Sequence, residues 1–561
     1  MTPQLAHLMK HKARAPVAVS EAVRLSRLPA YTYVESDLTD ALKTVNGTMR
    51  LRASQNKALI TARDQGGGFV GGIGCGHGKT LITLLLGRVL DVERVVLLLP
   101  AALIEKTRVE AGEYRKHFNF TTPVLISYER LSRESGVNAL RDYAPQLIVC
   151  DEAHKIKSLH STRTRRLGKY LFEQRACKFI VMSGTLFNKT VGDFAHLADW
   201  ALEEASPVPR NSRDVTSLDN LLTGDADRFE YAAFSKWLKG RKPRAALYDT
   251  LSKAGGVMFT SDEQVKSSLR LEQIEMSVPD ELRDAINQCF ADGVVEGLEK
   301  YIDANVLSES DHLWADDDAF ALRALGQVTM GCLYVWHWVG KRDDEWLNAR
   351  RNWSRAVRKL LEYQDELDSP ALIFNRFNEL DDDLHDLFST ARDEWAAVKH
   401  REPPPKHQHW VSDYFIDAVC KLARRDTHPV IIWVDLQAIG ERIAARLDIP
   451  YFGAGATLPD KAVTCVMSIK AHATGKNLQA WSRNIIAHPL ADPSMYEQLI
   501  ARTHRTGQAA DEVTVSVFHF SIFGSALRRA IKQSYVVQES TQQPLRLCYA
   551  DKIRVKYETL T

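Results

Sequence analysis

Two short stretches of this 561-residue chain carry residues able to handle a phosphate chain. The first is Ile73-Gly-Cys-Gly-His-Gly-Lys-Thr80, followed by the apolar run LITLLLGRVL. Gly76 and Gly78 let the backbone curl so that N–H groups point at phosphate oxygens. Lys79 adds a point charge for the β and γ phosphates, Thr80 offers a hydroxyl to Mg²⁺, and a helix starting here adds its partial positive charge. The strict phosphate-loop spacing needs a glycine where Ile73 stands, so only the shorter G-x-G-K-T form is present. The second stretch is the apolar Gln146-Leu-Ile-Val-Cys150 running into Asp151-Glu152-Ala153-His154. Carboxylates at the carboxyl end of a buried strand belong where an α/β sheet binds ligand. Asp151 is expected to hold Mg²⁺, usually through water, and Glu152 to polarise an attacking water. Alone, a GKT is compatible with a chance turn and an Asp-Glu pair with a solvated helix start. Together, in this order, they predict nucleotide hydrolysis.

A third group lies far downstream, in Gln498-Leu-Ile-Ala-Arg502-Thr-His-Arg505-Thr-Gly-Gln508. Arg502 and Arg505 are three apart and would share a face of a helix. Two guanidinium forks aimed across a cleft would stabilise charge on a transferring phosphoryl group. Taken by themselves, two arginines on a helix are more often solvated. Other clusters point to structure. Cys75 and His77 read as fillers of the glycine loop, and Cys150 as a small buried hydrophobe. Asp316–Asp318 and Asp381–Asp383 read as solvated helix faces. Trp336, Trp338, Trp346 and Trp353 stand among Lys341, Arg342, Arg350, Arg351, Arg355 and Arg358. Aromatics among basic residues can stack on bases and neutralise phosphates, but the commoner use of such a stripe is helix packing.

These groups need rigid elements to hold them. The runs GGGFVGGI, VERVVLLLP, PVLISY, QLIVCDEAH and ACKFIVMSGT are short, β-branched or leucine-rich, and end in turn residues, as buried parallel strands do. They predict a doubly wound α/β lobe. Residues 201–270 read as more polar and helical, and 280–410 as long helices broken by the prolines at 403–405. HPVIIWVD, AVTCVMSI, SRNIIAHP and EVTVSVFHF predict a second α/β lobe, followed by a basic helix, SALRRAIKQSY. The expected division is an N-terminal extension (1–46), an ATP-binding lobe (47–270), a helical insertion (271–410), a second lobe (411–525) and a bracing tail (526–561). Hydrophobic residues are 45% and charged residues 26%, as in soluble globular proteins, and the formal charge of +2 neither requires nor excludes a polyanion. Eight scattered cysteines without a CxxC pair argue against a zinc site and fit a reducing compartment. No run is long enough for a membrane span and the start has no signal-peptide core.

Together the motifs resemble superfamily 2 helicases and translocases, and DEAHKIK is similar to the Swi/Snf-type branch. The resemblance runs through residues 50–530. Leu51-Arg52-Ala53-Ser54-Gln55 resembles the adenine-reading motif, which implies that Gln55 bonds the base edge. Pro100 and its followers resemble motif Ia, and Ser127-Tyr128-Glu129 motif Ib, both of which touch the tracked strand. Ser183-Gly184-Thr185 with Asn188 resembles motif III, and Ala471–Leu478 motif V. The segment holding Arg502 and Arg505 resembles motif VI. Ile73 and Gly74 replace acidic residues common in that branch, and His472 and Lys476 replace small ones, as in a divergent member. The resemblance implies two RecA-like lobes with ATP and Mg²⁺ between them. It also implies movement along DNA, preferably double-stranded, without obligatory strand separation. A strand-separating helicase, an RNA helicase and a nucleic-acid-binding protein with a degenerate ATPase fold are the alternatives. A bare motor with no reader module fits a cytoplasmic bacterial or phage-type protein better than a nuclear remodeller.

Overall fold

The apolar runs of the first half form five strands in the computed structural model: β1 (Phe69–Gly72), β2 (Val95–Leu99), β3 (Val124–Ser127), β4 (Leu147–Asp151) and β5 (Lys178–Ser183). The structure describes residues 20–559 apart from 75, 185, 188, 261–264, 281, 283–325, 337, 339, 342, 364–366, 460, 474, 475, 489, 491 and 521–525. With β6 (Val257–Phe259) the five make a six-stranded parallel sheet in the order β3-β2-β4-β5-β1-β6. Strand β5 thus lies between the strand that feeds the glycine loop and the strand that ends in Asp151. The strands are apolar on both sides because helices cover both sheet faces. Val96, Ile148 and Val181 pack into one core, and their neighbours Leu97, Val149 and Ile180 into the other.

The second half holds β7 (Ser268–Met276), β8 (Cys332–Trp336), β9 (Lys406–Trp410), β10 (Val430–Val434), β11 (Tyr451–Phe452), β12 (Cys465–Ser468), β13 (Arg483–Ile486), β14 (Glu512–Phe520) and β15 (Asp551–Lys556). Seven of these form a second parallel sheet, β11-β12-β10-β13-β14-β7-β15. The protein is therefore mixed α/β, with two parallel sheets of six and seven strands. The second sheet draws strands from outside 411–525. Its β7 pairs with β14 over nine positions, and β15 adds the outer edge.

The stretch expected to be long helices, 280–410, contains two strands as well. Strands β8 and β9 pair antiparallel, which corrects that reading. Gly331 at φ 81° turns the chain into CLYVW, a β-branched and aromatic run that suits a strand. Helices Asp344–Tyr363 and Asp382–Val398 follow. Trp346 and Trp353 are buried between them, with Trp346 edge-on to Trp338 and Trp395 and Trp353 against Phe374 and Phe377. The aromatic stripe is thus largely a packing seam. Arg342 and Asp316–Asp318 lie outside the described residues, as do residues 1–19, Cys75 and Cys289. The helix Ala526–Thr541 spans the two halves: Leu527 and Ala530 pack in the second core and Val536 and Val537 in the first. Among the described residues no helix is long and apolar enough to cross a membrane.

Candidate active site

The glycine loop leaves β1 and enters the helix Lys79–Val89 through two left-handed glycines, Gly76 at φ 92° and Gly78 at φ 70°. Both conformations are disfavoured for residues with a Cβ. Gly78 also has a steric reason, since a Cβ there would sit 2.3 Å from Gln55 Nε2. Gln55, 4% exposed, donates to the Gly78 carbonyl (3.3 Å) and accepts from the Arg52 amide (2.9 Å). Arg52 Nη1 donates to the Gly76 carbonyl (2.8 Å). Lys79 Nζ donates to the Ile73 carbonyl (3.1 Å), folding its ammonium back over the loop. Thr80 follows in the first helical turn and is half-buried.

Asp151 ends β4 at 9% exposure, and its Oδ1 accepts the Glu152 amide (3.0 Å). Glu152 is itself left-handed, at φ 53° and ψ 49°, a strained setting for a residue with a Cβ. The bend is held on one side by Tyr128, whose hydroxyl donates to the Asp151 carbonyl (2.8 Å). On the other side His154 Nδ1 lies 3.4 Å from Glu152 Oε2 and 3.2 Å from Ser183 Oγ. Burial, with the charge of Glu152 next door, pushes Asp151 up to about 6, against the pull of Lys79. Burial acts on Glu152 too, but Lys79, His154 and Arg502 outweigh it and hold this carboxyl well below its usual range. The pair is therefore split, with Glu152 firmly ionised and Asp151 the more weakly held of the two charges.

Arg502 belongs to the helix Pro493–Thr503, capped by Asp492, whose side chain accepts the Ser494 amide (3.0 Å). It is 5% exposed and donates to the Gln498 (3.1 Å) and Lys476 (3.2 Å) carbonyls, close enough to Glu152 to stabilise its charge. Arg505 corrects the helical expectation. The helix stops at Thr503, and His504 leaves helical geometry at ψ 85°, its Nε2 donating to the Ser267 carbonyl (2.9 Å). Arg505 therefore sits in the following turn, bonded to Asn477. Its Nη2 still approaches the glycine loop, 3.6 Å from where a Cβ on Gly76 would lie. Lys79, Asp151, Glu152 and Arg502 are thus brought together, with Gln55 and Arg505 on either flank of the loop. Gly74, Glu152 and Gly184 face Gln498 and Ala501 across a cavity between the two halves.

A scan against models of known protein families and a search of curated proteins find no match for this chain. The function has to be argued from the cleft itself. Thr185 and Asn188, in the stretch resembling motif III, and Thr474 and Gly475, in that resembling motif V, lie outside the described residues. His472 is buried and donates to the Gly453 carbonyl (2.9 Å). Lys157, which ends the DEAHKIK stretch, is joined here by three residues that were not singled out from the sequence, Lys189, Asp492 and Gln543. Lys157 and Lys189 of the first half approach Asp492 Oδ2 (3.3 and 3.9 Å). Gln543 reaches the Gly72 carbonyl (2.7 Å) at the end of β1. The Asp-Pro-Ser start of the arginine helix is a capping signal that could have marked Asp492. Gln543 has no local signal, because its partner is a backbone carbonyl more than 400 positions away.

Proposed function

We propose that this chain is an ATP-hydrolysing motor that moves along double-stranded DNA, with two RecA-like lobes of the superfamily 2, Swi/Snf-type kind. The observation that carries the reading is the arrival of Arg502 and Arg505, from the second sheet's half, against Glu152 and the glycine loop of the first. A nucleotide bound by one half alone would need no arginines from the other. A site completed by both halves lets phosphate-bond cleavage change how the halves sit.

The available oxygens suit a magnesium-bound nucleotide. Thr80 and Asp151 would hold the ion, with phosphates and waters supplying the other oxygens. Among the described residues no cluster of three or more His, Cys, Asp or Glu could cage a metal alone. Asp151, crowded by burial and the charge of Glu152, is a carboxylate whose charge a divalent cation would stabilise. Mg²⁺, when bound, neutralises phosphate charge. The protein does the rest. The glycine-loop amides and Lys79 bind the phosphates. Glu152 orients and polarises the attacking water, while His154 fixes the carboxylate. Arg502 and Arg505 stabilise charge on the transferring group, and Gln55 reads the base edge. DNA would lie across both halves, held by its phosphates and so sensitive to salt.

The test is ATP turnover with and without duplex DNA, for wild type and Glu152→Gln. Turnover stimulated by duplex and lost in the variant supports the motor; none with any DNA or RNA overturns it. Stimulation by RNA alone would assign an RNA helicase. Triplex displacement without unwinding of a forked duplex separates translocation from strand separation.

A further inference from the structure

We propose that residues Gln543–Arg546 are a positioning strap that ties the arginine turn to the glycine-loop strand, so that the two sides of the cleft register as one unit. The inference rests on the ATPase reading above for its catalytic consequence, and on geometry for its mechanical one.

The chain reaches this segment by an unusual path. The helix Ala526–Thr541 starts in the second core and ends in the first, where Arg244 pairs with Glu539 (3.0 Å). The chain then returns to the second sheet as β15. The return passes along the back of the cleft, where Gln543–Arg546 lines the same cavity as Glu152. Gln543 is 9% exposed, and its amide donates to the carbonyls of Gly72 (2.7 Å) and Thr260 (3.1 Å). Gly72 ends β1 and Thr260 directly follows β6, and Thr260 Oγ1 in turn accepts the Gly74 amide (2.9 Å). One end of the strap therefore grips the root of the glycine loop.

Three residues later, Arg546 donates to the His504 carbonyl through Nε (3.3 Å) and Nη2 (3.2 Å). His504 lies between Arg502 and Arg505. Arg546 also pairs with Glu497 of the arginine helix (3.4 Å), and Glu497 accepts the Leu547 amide (2.9 Å). Arg546 and Glu497 are each 6% exposed, so the pair is hard to rearrange piecemeal. Between the two grips the Gln543 amide donates to Thr541 Oγ1 (3.2 Å) and the Leu545 amide to Gln538 Oε1 (2.9 Å), which fixes the connecting backbone to the helix before it. A shift at the glycine-loop root is thereby felt at the arginine turn, where small misplacement of a charge-stabilising group is expensive in rate.

The experiment compares Gln543→Ala, Gln543→Glu, Arg546→Ala and the Gln543→Ala/Arg546→Ala pair in the full chain. Gln543→Glu keeps the shape but turns the donor into an acceptor facing two carbonyls. The expected result is an about tenfold or larger fall in kcat for Gln543→Ala, Gln543→Glu and Arg546→Ala, with KM for ATP nearly unchanged. The double variant should be little worse than the poorer single, as for residues acting through one element. Hydrogen–deuterium exchange should rise over 500–508 in Gln543→Ala, although Gln543 does not touch that segment. Wild-type kcat in Gln543→Glu, multiplying losses in the double variant, or exchange confined to 69–74 and 257–260 overturns the strap. A wild type without turnover sinks the ATPase reading instead, and the exchange at 500–508 still decides the strap.

Discussion

Glu152 combines a left-handed backbone, a largely buried carboxylate and three cationic or proton-donating neighbours. Replacing it by Gln keeps the shape and the strained turn but removes the charge that polarises the water. ATP turnover should fall about 10²–10⁴-fold, with nucleotide affinity, followed by titration of a fluorescent analogue, within a few-fold of wild type. Retained turnover would assign the water's activation to another group. His196 gives a separate, pH-based prediction. It is 2% exposed, donates to the Ile156 carbonyl (2.9 Å) just after the acidic box, and burial pushes it down to about 4 from 6.5. Its folded pKa lies below its unfolded one, so the unfolded chain binds more protons between those values. Stability is then full above pH 6.5 and is lost as the pH falls toward 4, by up to about 3 kcal/mol. His196→Gln keeps a donor without a titration, so its melting temperature should fall less over that range. Equal falls would assign the acid sensitivity to other groups.

At the scale of elements, the segment between β7 and β10 is bound to both halves. Val328, Met330 and Cys332 pack with Phe415 and Phe518 in a core of the second half. The segment also docks on the first half, where Asp368 receives two bonds from Arg166 (both 2.7 Å) and its carbonyl accepts Thr162 Oγ1 (3.2 Å). Arg166 also donates to the Leu131 and Arg133 carbonyls, a few residues after the stretch resembling motif Ib. Asp368→Ala leaves that guanidinium buried without its counter-charge, at a cost of about 3–5 kcal/mol. The first denaturant transition should move accordingly, and Arg166→Met/Asp368→Leu should recover most of the loss. A single variant as stable as wild type would show that the dock contributes nothing. None of this was legible in the sequence, since Asp368 and Arg166 are ordinary surface-type residues about 200 positions apart. Strands such as β2 and β10 were legible because five consecutive buried apolar residues have few other structural uses. Strands β7 and β15 were not, because SLRLEQIEM and DKIRVK are half polar and gain their register only from each other and from β14. In the candidate site, Lys79, Asp151 and Glu152 were legible through their local motifs. The break after Thr503 was not, because it is imposed by a bond from His504 to Ser267 in another part of the chain.

For the whole molecule, what matters is how the two halves are held in register while the cleft stays able to open. The buried strap and the insertion dock resist separation. The ion pairs that Lys157 and Lys189 of the first half make with Asp492 of the second are of a different kind. Lys157 and Lys189 reach Asp492 with side chains about one-third exposed, 34% and 29% for the closer pair. Burial pushes Asp492 up, but Lys157, Ser494 and Lys189 together keep its carboxyl below the ordinary value, so it stays charged at neutral pH. Ion pairs this exposed contribute roughly 0–1 kcal/mol each, which is the range a reversible closure needs. A buried pair of the Arg166 type would lock the cleft, whereas one of this type biases it by about fivefold for 1 kcal/mol. Asp492→Asn isolates that bias. Its Oδ1 can still cap the arginine helix through the Ser494 amide and hydroxyl, while the charge facing the lysines is gone. Thermal stability should therefore change little, and DNA-free ATP turnover should fall about two- to fivefold. Salt supplies the matching control. Raising ionic strength from about 0.1 to about 1 M shortens the screening length from about 10 to about 3 Å. Basal turnover of wild type should then drop toward that of Asp492→Asn, and the variant should respond less. Measuring without DNA keeps the salt dependence of phosphate contacts out of the comparison. A variant that loses turnover in proportion to its melting temperature, or one as salt-sensitive as wild type, would show that Asp492 serves the helix and not the closure.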